Sequence, residues 1–194
     1  MSKRNGRTPR RNQRPAQAPP KSPNPKTPFE REDATKRCGE ATQLAFALKA
    51  ARLRFGLSHP YGDSERYDVI LDCHRAQLFP EPPNATYLDD RSRPRLIRIQ
   101  VKATSQLLNG LYRVNAHRRI HGRAVPYKLS EIDFIAAYVI PEDSWFIFPL
   151  PHILGLTSLL LSPKTRRKPH PNNPYREAWH LLNQPDGLEF ASIK

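Results

Sequence analysis

The sequence predicts an α/β (α+β) domain built on one central mixed sheet flanked by helices, and three observations predict it. First, Leu96 to Lys102 alternates Ile97, Ile99 and Val101 with polar residues, the period of a half-buried strand. Second, Ile132 to Ile140 is almost continuously apolar, as a strand buried on both faces should be. Third, a long segment with helical apolar spacing precedes all the strands and a shorter one follows them.

The elements follow in chain order. Residues 1–30 are rich in Pro and Arg and nearly devoid of apolar side chains, so they read as a disordered tail ahead of one domain over 31–194. A helix starts at a capping Asp33 or Thr35 and runs to about Phe55, with Ala41, Leu44, Ala45, Leu48, Ala51 and Phe55 as its buried stripe. Gly56 is its stop. Arg66 to Asp72 reads as a strand carrying Asp68, and a polar connection from about 73 to 94 leads into the Gln100 strand. Leu111 to Asn115 is a short strand, His117 to Arg123 a basic loop, and Trp145 to Pro149 a strand closed by proline. Ile153 to Leu161 reads as core. After a basic loop, a short helix opens at Pro174 with Tyr175, Ala178, Trp179 and Leu182 on one side.

The net charge of +14 points to a polyanionic partner, most simply nucleic acid. Eight of those charges lie before Pro28 with no acid among them, and the remainder is still basic. The tail is then either a sequence-blind phosphate-binding arm or a solubilising extension. Two cysteines, Cys38 and Cys73, make no disulfide framework and no zinc site, which fits a reducing, cytoplasmic compartment. No secretory signal and no membrane-length apolar run is present, so a soluble protein is expected.

The chemistry concentrates on two neighbouring strands. Alternation puts Gln100 and Lys102 on one face, two positions apart, and Asp68 sits between apolar neighbours on the preceding strand. A carboxylate, a side-chain carbonyl and an ammonium brought together can hold a divalent cation and position a water beside it. Asp68 is the first expected ligand, with the Gln100 amide oxygen and the Val101 backbone carbonyl as neutral ones. Lys102 would orient the attacking water or stabilise charge on the phosphate. Each has an ordinary alternative: a solvated aspartate, a cross-strand hydrogen bond, a surface cation. Arg118, Arg119, Arg123 and Lys128 are candidate DNA contacts, or a solvated basic face. His117 and His121 have the spacing of a helical metal pair, but the adjoining glycine and arginines argue against a helix there.

Gly39-Glu40 on the first helix, Tyr67-Asp68-Val69, Gln100-Val101-Lys102, then Tyr127, Glu131 to Phe134 and Trp145 to Pro149 form a longer pattern. It resembles the PD-(D/E)XK nuclease superfamily, in particular its branch of group I intron homing endonucleases, over about residues 36–150. The resemblance implies a restriction-endonuclease-like core and a metal-dependent endonuclease acting on double-stranded DNA with Mg²⁺, or Mn²⁺. It implies Glu40, Asp68, Gln100 and Lys102 as the catalytic set, with Glu40 holding a second metal or its water. Glu40 is also what a first helical turn favours. The superfamily has a carboxylate where this chain has Gln100, a substitution tolerated in the homing branch. With one site per chain, cutting both strands requires at least a dimer. The alternative is a catalytically inactive descendant that still binds DNA.

Overall fold

A computed structural model describes residues 28–62, 64–73, 96–164 and 168–183. The expected tail falls outside the described residues up to position 27, and the expected connection before the Gln100 strand does so from 74 to 95.

Helix α1 spans Pro28–Arg52. It starts earlier than Asp33, with proline in the first turn, where a missing N–H is harmless. It ends before Phe55 because Arg54 turns left-handed (φ 62°), and the Phe55 N–H bonds back to the Ala50 carbonyl. The buried face is only in part the expected stripe: Phe55 is in the core and Ala45 packs against it. Thr42, Phe46 and Ala50 point inward, whereas Ala41, Leu44, Leu48 and Ala51 face outward. Phe46 decides this, meeting the rings of Trp145 and Trp179 at 5.5 and 5.6 Å. Burying that phenyl group contributes about 2–3 kcal/mol, more than any alanine on the outer face can offer.

Ten strands follow among the described residues: β1 Gly56–Ser58, β2 Val69–Asp72, β3 Leu96–Thr104, β4 Leu107–Leu108, β5 Leu111–Asn115, β6 His117–Ile120, β7 Arg123–Pro126, β8 Phe134–Val139, β9 Ser144–Pro149 and β10 Ser158–Leu161. The central sheet has the order β1-β2-β3-β8-β9. It is mixed because β3 and β8 run parallel while its other neighbours are antiparallel. The crossover from β3 to β8 contains no α-helix. It carries β4 and β5, which join β10 in a three-stranded sheet, and the β6–β7 hairpin.

Period-two alternation splits the core between the two faces of the central sheet. Val69, Leu71, Ile97, Ile99, Val101, Phe134, Ala136, Trp145 and Ile147 pack toward α1. Ile135, Ala137, Val139, Phe146 and Phe148 pack on the other side against Tyr112, Val114, Leu159 and Leu161 of the small sheet. The mixed α+β sheet is the one expected, but among the described residues only one face carries an α-helix.

Two local expectations need correction. The basic stretch after His117 is a hairpin rather than a loop, with the left-handed His121 and Gly122 (φ 47° and 78°) making its two-residue turn. The helix expected from Pro174 is two 3₁₀ turns, Asn173–Tyr175 and Trp179–Asn183, interrupted by a left-handed Glu177 (φ 49°). That break lets Glu177 Oε1 accept the Trp145 N–H and Oε2 the Trp179 indole N–H, at 2.7 and 3.0 Å.

Candidate active site

The site forms where β2 leaves β3. Pairing holds Val69 opposite Ile99, and one residue earlier Asp68 still donates its N–H to the Ile99 carbonyl at 2.9 Å. Asp68 is thus the residue just before β2, not a member of a strand from Arg66. Its side chain takes over where the ladder ends: Oδ2 accepts the Val101 N–H at 2.8 Å. That backbone donor would otherwise be an unpaired edge group.

On the face away from α1 stand Arg98, Gln100 and Lys102. Gln100 is buried, donating through Nε2 to Asp68 Oδ2 and, at 3.4 Å, to the Val101 carbonyl. Its Oε1 accepts the Tyr127 hydroxyl at 3.1 Å. Lys102 is partly buried, its ammonium 5.7 Å from the Tyr127 ring centroid. Asp68, just before β2, and Gln100, Val101 and Lys102, within β3, are therefore one constellation, closed on one side by Tyr127.

The electrostatics of the group are unbalanced. Burial pushes the Asp68 carboxyl above its ordinary value, outweighing the Val101 hydrogen bond and the Lys102 charge. Burial lowers the Lys102 ammonium, with the Asp68 charge opposing. Tyr127 is pushed far up, first by burial and then by the Asp68 charge, so it stays a phenol.

Glu40 stands apart from the hydrogen-bonded set. It is exposed on α1 and is neither bonded to Asp68 nor among the residues lining its cleft, and no group of three or more His, Cys, Asp or Glu able to hold a metal occurs among the described residues. Gln43, one helical turn on from Glu40, does line that cleft, with His59, Tyr67 and Asp68. His59 also places Nδ1 3.1 Å from the Asp68 carbonyl oxygen. The candidate DNA contacts divide in two. Arg118 is partly buried against Glu131 in an ion pair of 2.8 Å, whereas Arg119, Arg123 and Lys128 are exposed. Glu131 also accepts the Lys128 backbone N–H at 2.9 Å, fixing the hairpin beside Tyr127. Gln43 and His59 escaped the sequence reading because their neighbours in sequence carry no pattern; only the folded loop brings them to Asp68.

Residues 88–182 match the PD-(D/E)XK endonuclease family. That span contains Gln100, Val101 and Lys102 on β3 and the strands that support them. The chain is PD-(D/E)XK-endonuclease-like over that span. Its fold is similar to that of the bacterial homing endonuclease I-Ssp6803I, with a TM-score of 0.61 and 27% sequence identity over 81% of this chain and 99% of that one. No curated protein matches the sequence. The family match begins after Glu40 and Asp68 and does not include them. No helix among the described residues is long and apolar enough to cross a membrane.

Proposed function

We propose that this PD-(D/E)XK domain is a metal-dependent DNA endonuclease of the homing-endonuclease type. The observation that carries the reading is the half-buried Asp68 carboxylate, bonded to Val101 and Gln100 with the Lys102 ammonium beside it. The donors fit a hard cation. Asp68, the Val101 carbonyl and the Gln100 amide supply oxygens at one point, and a carboxylate that burial makes reluctant to ionise gains from a positive charge. Gln100 must turn its amide over to offer oxygen there. Tyr127 permits the turn, because a phenol that donates to Oε1 can equally accept from Nε2.

A bound Mg²⁺ or Mn²⁺ supplies charge to a phosphate oxygen and acidifies a water. Asp68 anchors the cation, Lys102 stabilises negative charge growing on the phosphate, and its lowered pKa lets it trade a proton nearer neutrality. Glu40, one turn before the cleft-lining Gln43, would hold a second cation or its water. Arg119, Arg123 and Lys128 would meet the DNA backbone, with Arg118 and Glu131 holding the hairpin in position. One site per chain implies that cutting both strands takes two copies. The absence of a disulfide framework suits a cytoplasmic setting.

The test is plasmid nicking and linearisation in Mg²⁺ or Mn²⁺, with a large random insert library to supply rare sites, comparing wild type with Asp68→Ala and Lys102→Ala. Cleavage by wild type that disappears in both variants while DNA binding survives is the expected result. Binding without cleavage under either metal would identify an inactive DNA-binding descendant.

A further inference from the structure

Helix α1 carries two apolar stripes on opposite sides, and the domain uses one of them. Thr42, Phe46 and Ala50 enter the core. On the reverse side Leu44 is 73% exposed and Leu48 55%, flanked by exposed Ala41 and Ala51. At 100° per residue these four positions fall within one narrow stripe directly opposite Phe46. Their spacing of three, four and three is that of a coiled-coil seam. A surface helix needs one apolar face; a second one is explained by a second partner.

The order of residues says which partner fits. Ala41, Leu44, Leu48 and Ala51 read the same from either end about position 46. A two-fold axis that brings a second copy of the helix alongside in the antiparallel sense therefore sets Leu44 level with Leu48 of the second copy, and Ala41 level with its Ala51. That is the self-complementarity an isologous contact requires. The alanines at each end let the helices approach closely around the four leucines. The same axis aligns the two helix dipoles favourably.

We propose that the outer face of α1 is a homodimer interface, a seam of Ala41, Leu44, Leu48 and Ala51 that pairs two copies antiparallel. It rests on the two-copy reading above and gives it a surface.

The test is light scattering on the full-length chain, with and without duplex DNA, comparing wild type with the double variant Leu44→Glu, Leu48→Glu. Wild type should have at least twice the 22.3 kDa of one chain, and the variant half the wild-type mass or less, with an unchanged circular dichroism spectrum. As a second measurement, Leu44→Cys with Leu48→Cys in a Cys38→Ser background should give a covalent dimer under mild oxidation. A wild type that stays monomeric, a double variant that keeps the wild-type mass, or cysteines that fail to cross-link the folded chain would overturn the proposal. A monomeric wild type whose glutamate variant melts earlier would show that another segment of the same chain covers the seam. Pairing through α1 without cleavage would defeat only the nuclease reading, and cleavage by an unpaired chain would defeat only this one.

Discussion

Asp133 and Asp68 both accept a backbone N–H from β3, yet on the two sides of that strand they are left in opposite conditions. Asp133 takes the Arg98 N–H at 2.8 Å, and the Arg98 guanidinium closes on both of its oxygens at 3.1 and 2.8 Å. The same guanidinium reaches the Ser130 and Leu129 carbonyls, tying the turn before β8 to the sheet. Its pKa is raised, chiefly by the Asp133 hydrogen bond. Asp68 has the same 2.8 Å backbone bond, from Val101, but its other partner is a neutral amide, and its carboxyl is raised by burial. A carboxylate gripped by a guanidinium fork is complete. A half-buried carboxylate with neutral donors is short of positive charge, and the lesson of the pair is that the fold can finish such a site and at Asp68 does not.

Exchange of each carboxyl for an amide separates the two roles, and the largest expected effect is on cleavage. Asp68→Asn should lower the single-turnover cleavage rate at least roughly a hundredfold, the scale of losing one group that stabilises charge in the transition state. Asp133→Asn, assayed well below its melting temperature, should retain cleavage. Equal losses in both variants would erase the distinction.

Stability should show the reverse order. Asp133→Asn weakens hydrogen bonds to a charged group and should cost about 2 kcal/mol in urea unfolding. Asp68→Asn removes a carboxyl that burial makes costly to ionise, so the metal-free variant should unfold at the same or higher urea. A destabilised Asp68→Asn would make that residue a structural one like Asp133.

The smallest effect is the pH dependence. Because the folded-state pKa of Asp68 is raised above the ordinary 3.8, the native state holds that proton longer than the unfolded chain. Its stabilising contribution is full below 3.8 and is lost as pH rises through the folded value. Subtracting the Asp68→Asn melting curve from that of wild type should reveal this decline. Lys102 is lowered instead, so its contribution grows as pH climbs from its folded value toward 10.5. A difference curve that is flat above 3.8 would show that Asp68 ionises freely in the folded protein.

Much of this arrangement was legible in the sequence where one period governs. The alternation around Gln100 and the apolar run from Ile132 specified β3 and β8, and hence which side chains share a face. Helix α1 was read with largely the wrong face inward because both of its stripes satisfy helical spacing; only the packing of Phe46 on Trp145 and Trp179 separates them. The broken helix after Pro174 depends on a left-handed Glu177 that no local propensity favours. At the site, Asp68, Gln100 and Lys102 were legible because strand alternation and pairing are short-range rules. The Tyr127 hydroxyl on Gln100 and the approach of Gln43 and His59 to Asp68 come from other segments, a hairpin, α1 and the loop before β2, and no spacing encodes them.

The most direct measurement of the central claim is calorimetric titration of Mn²⁺ into the folded chain without DNA, for wild type, Asp68→Asn and Asp133→Asn. Binding by wild type and Asp133→Asn, lost in Asp68→Asn, is the predicted result. Mn²⁺ binding that survives Asp68→Asn unchanged would contradict the account, because the carboxylate just before β2 would then not be the group that waits for a cation.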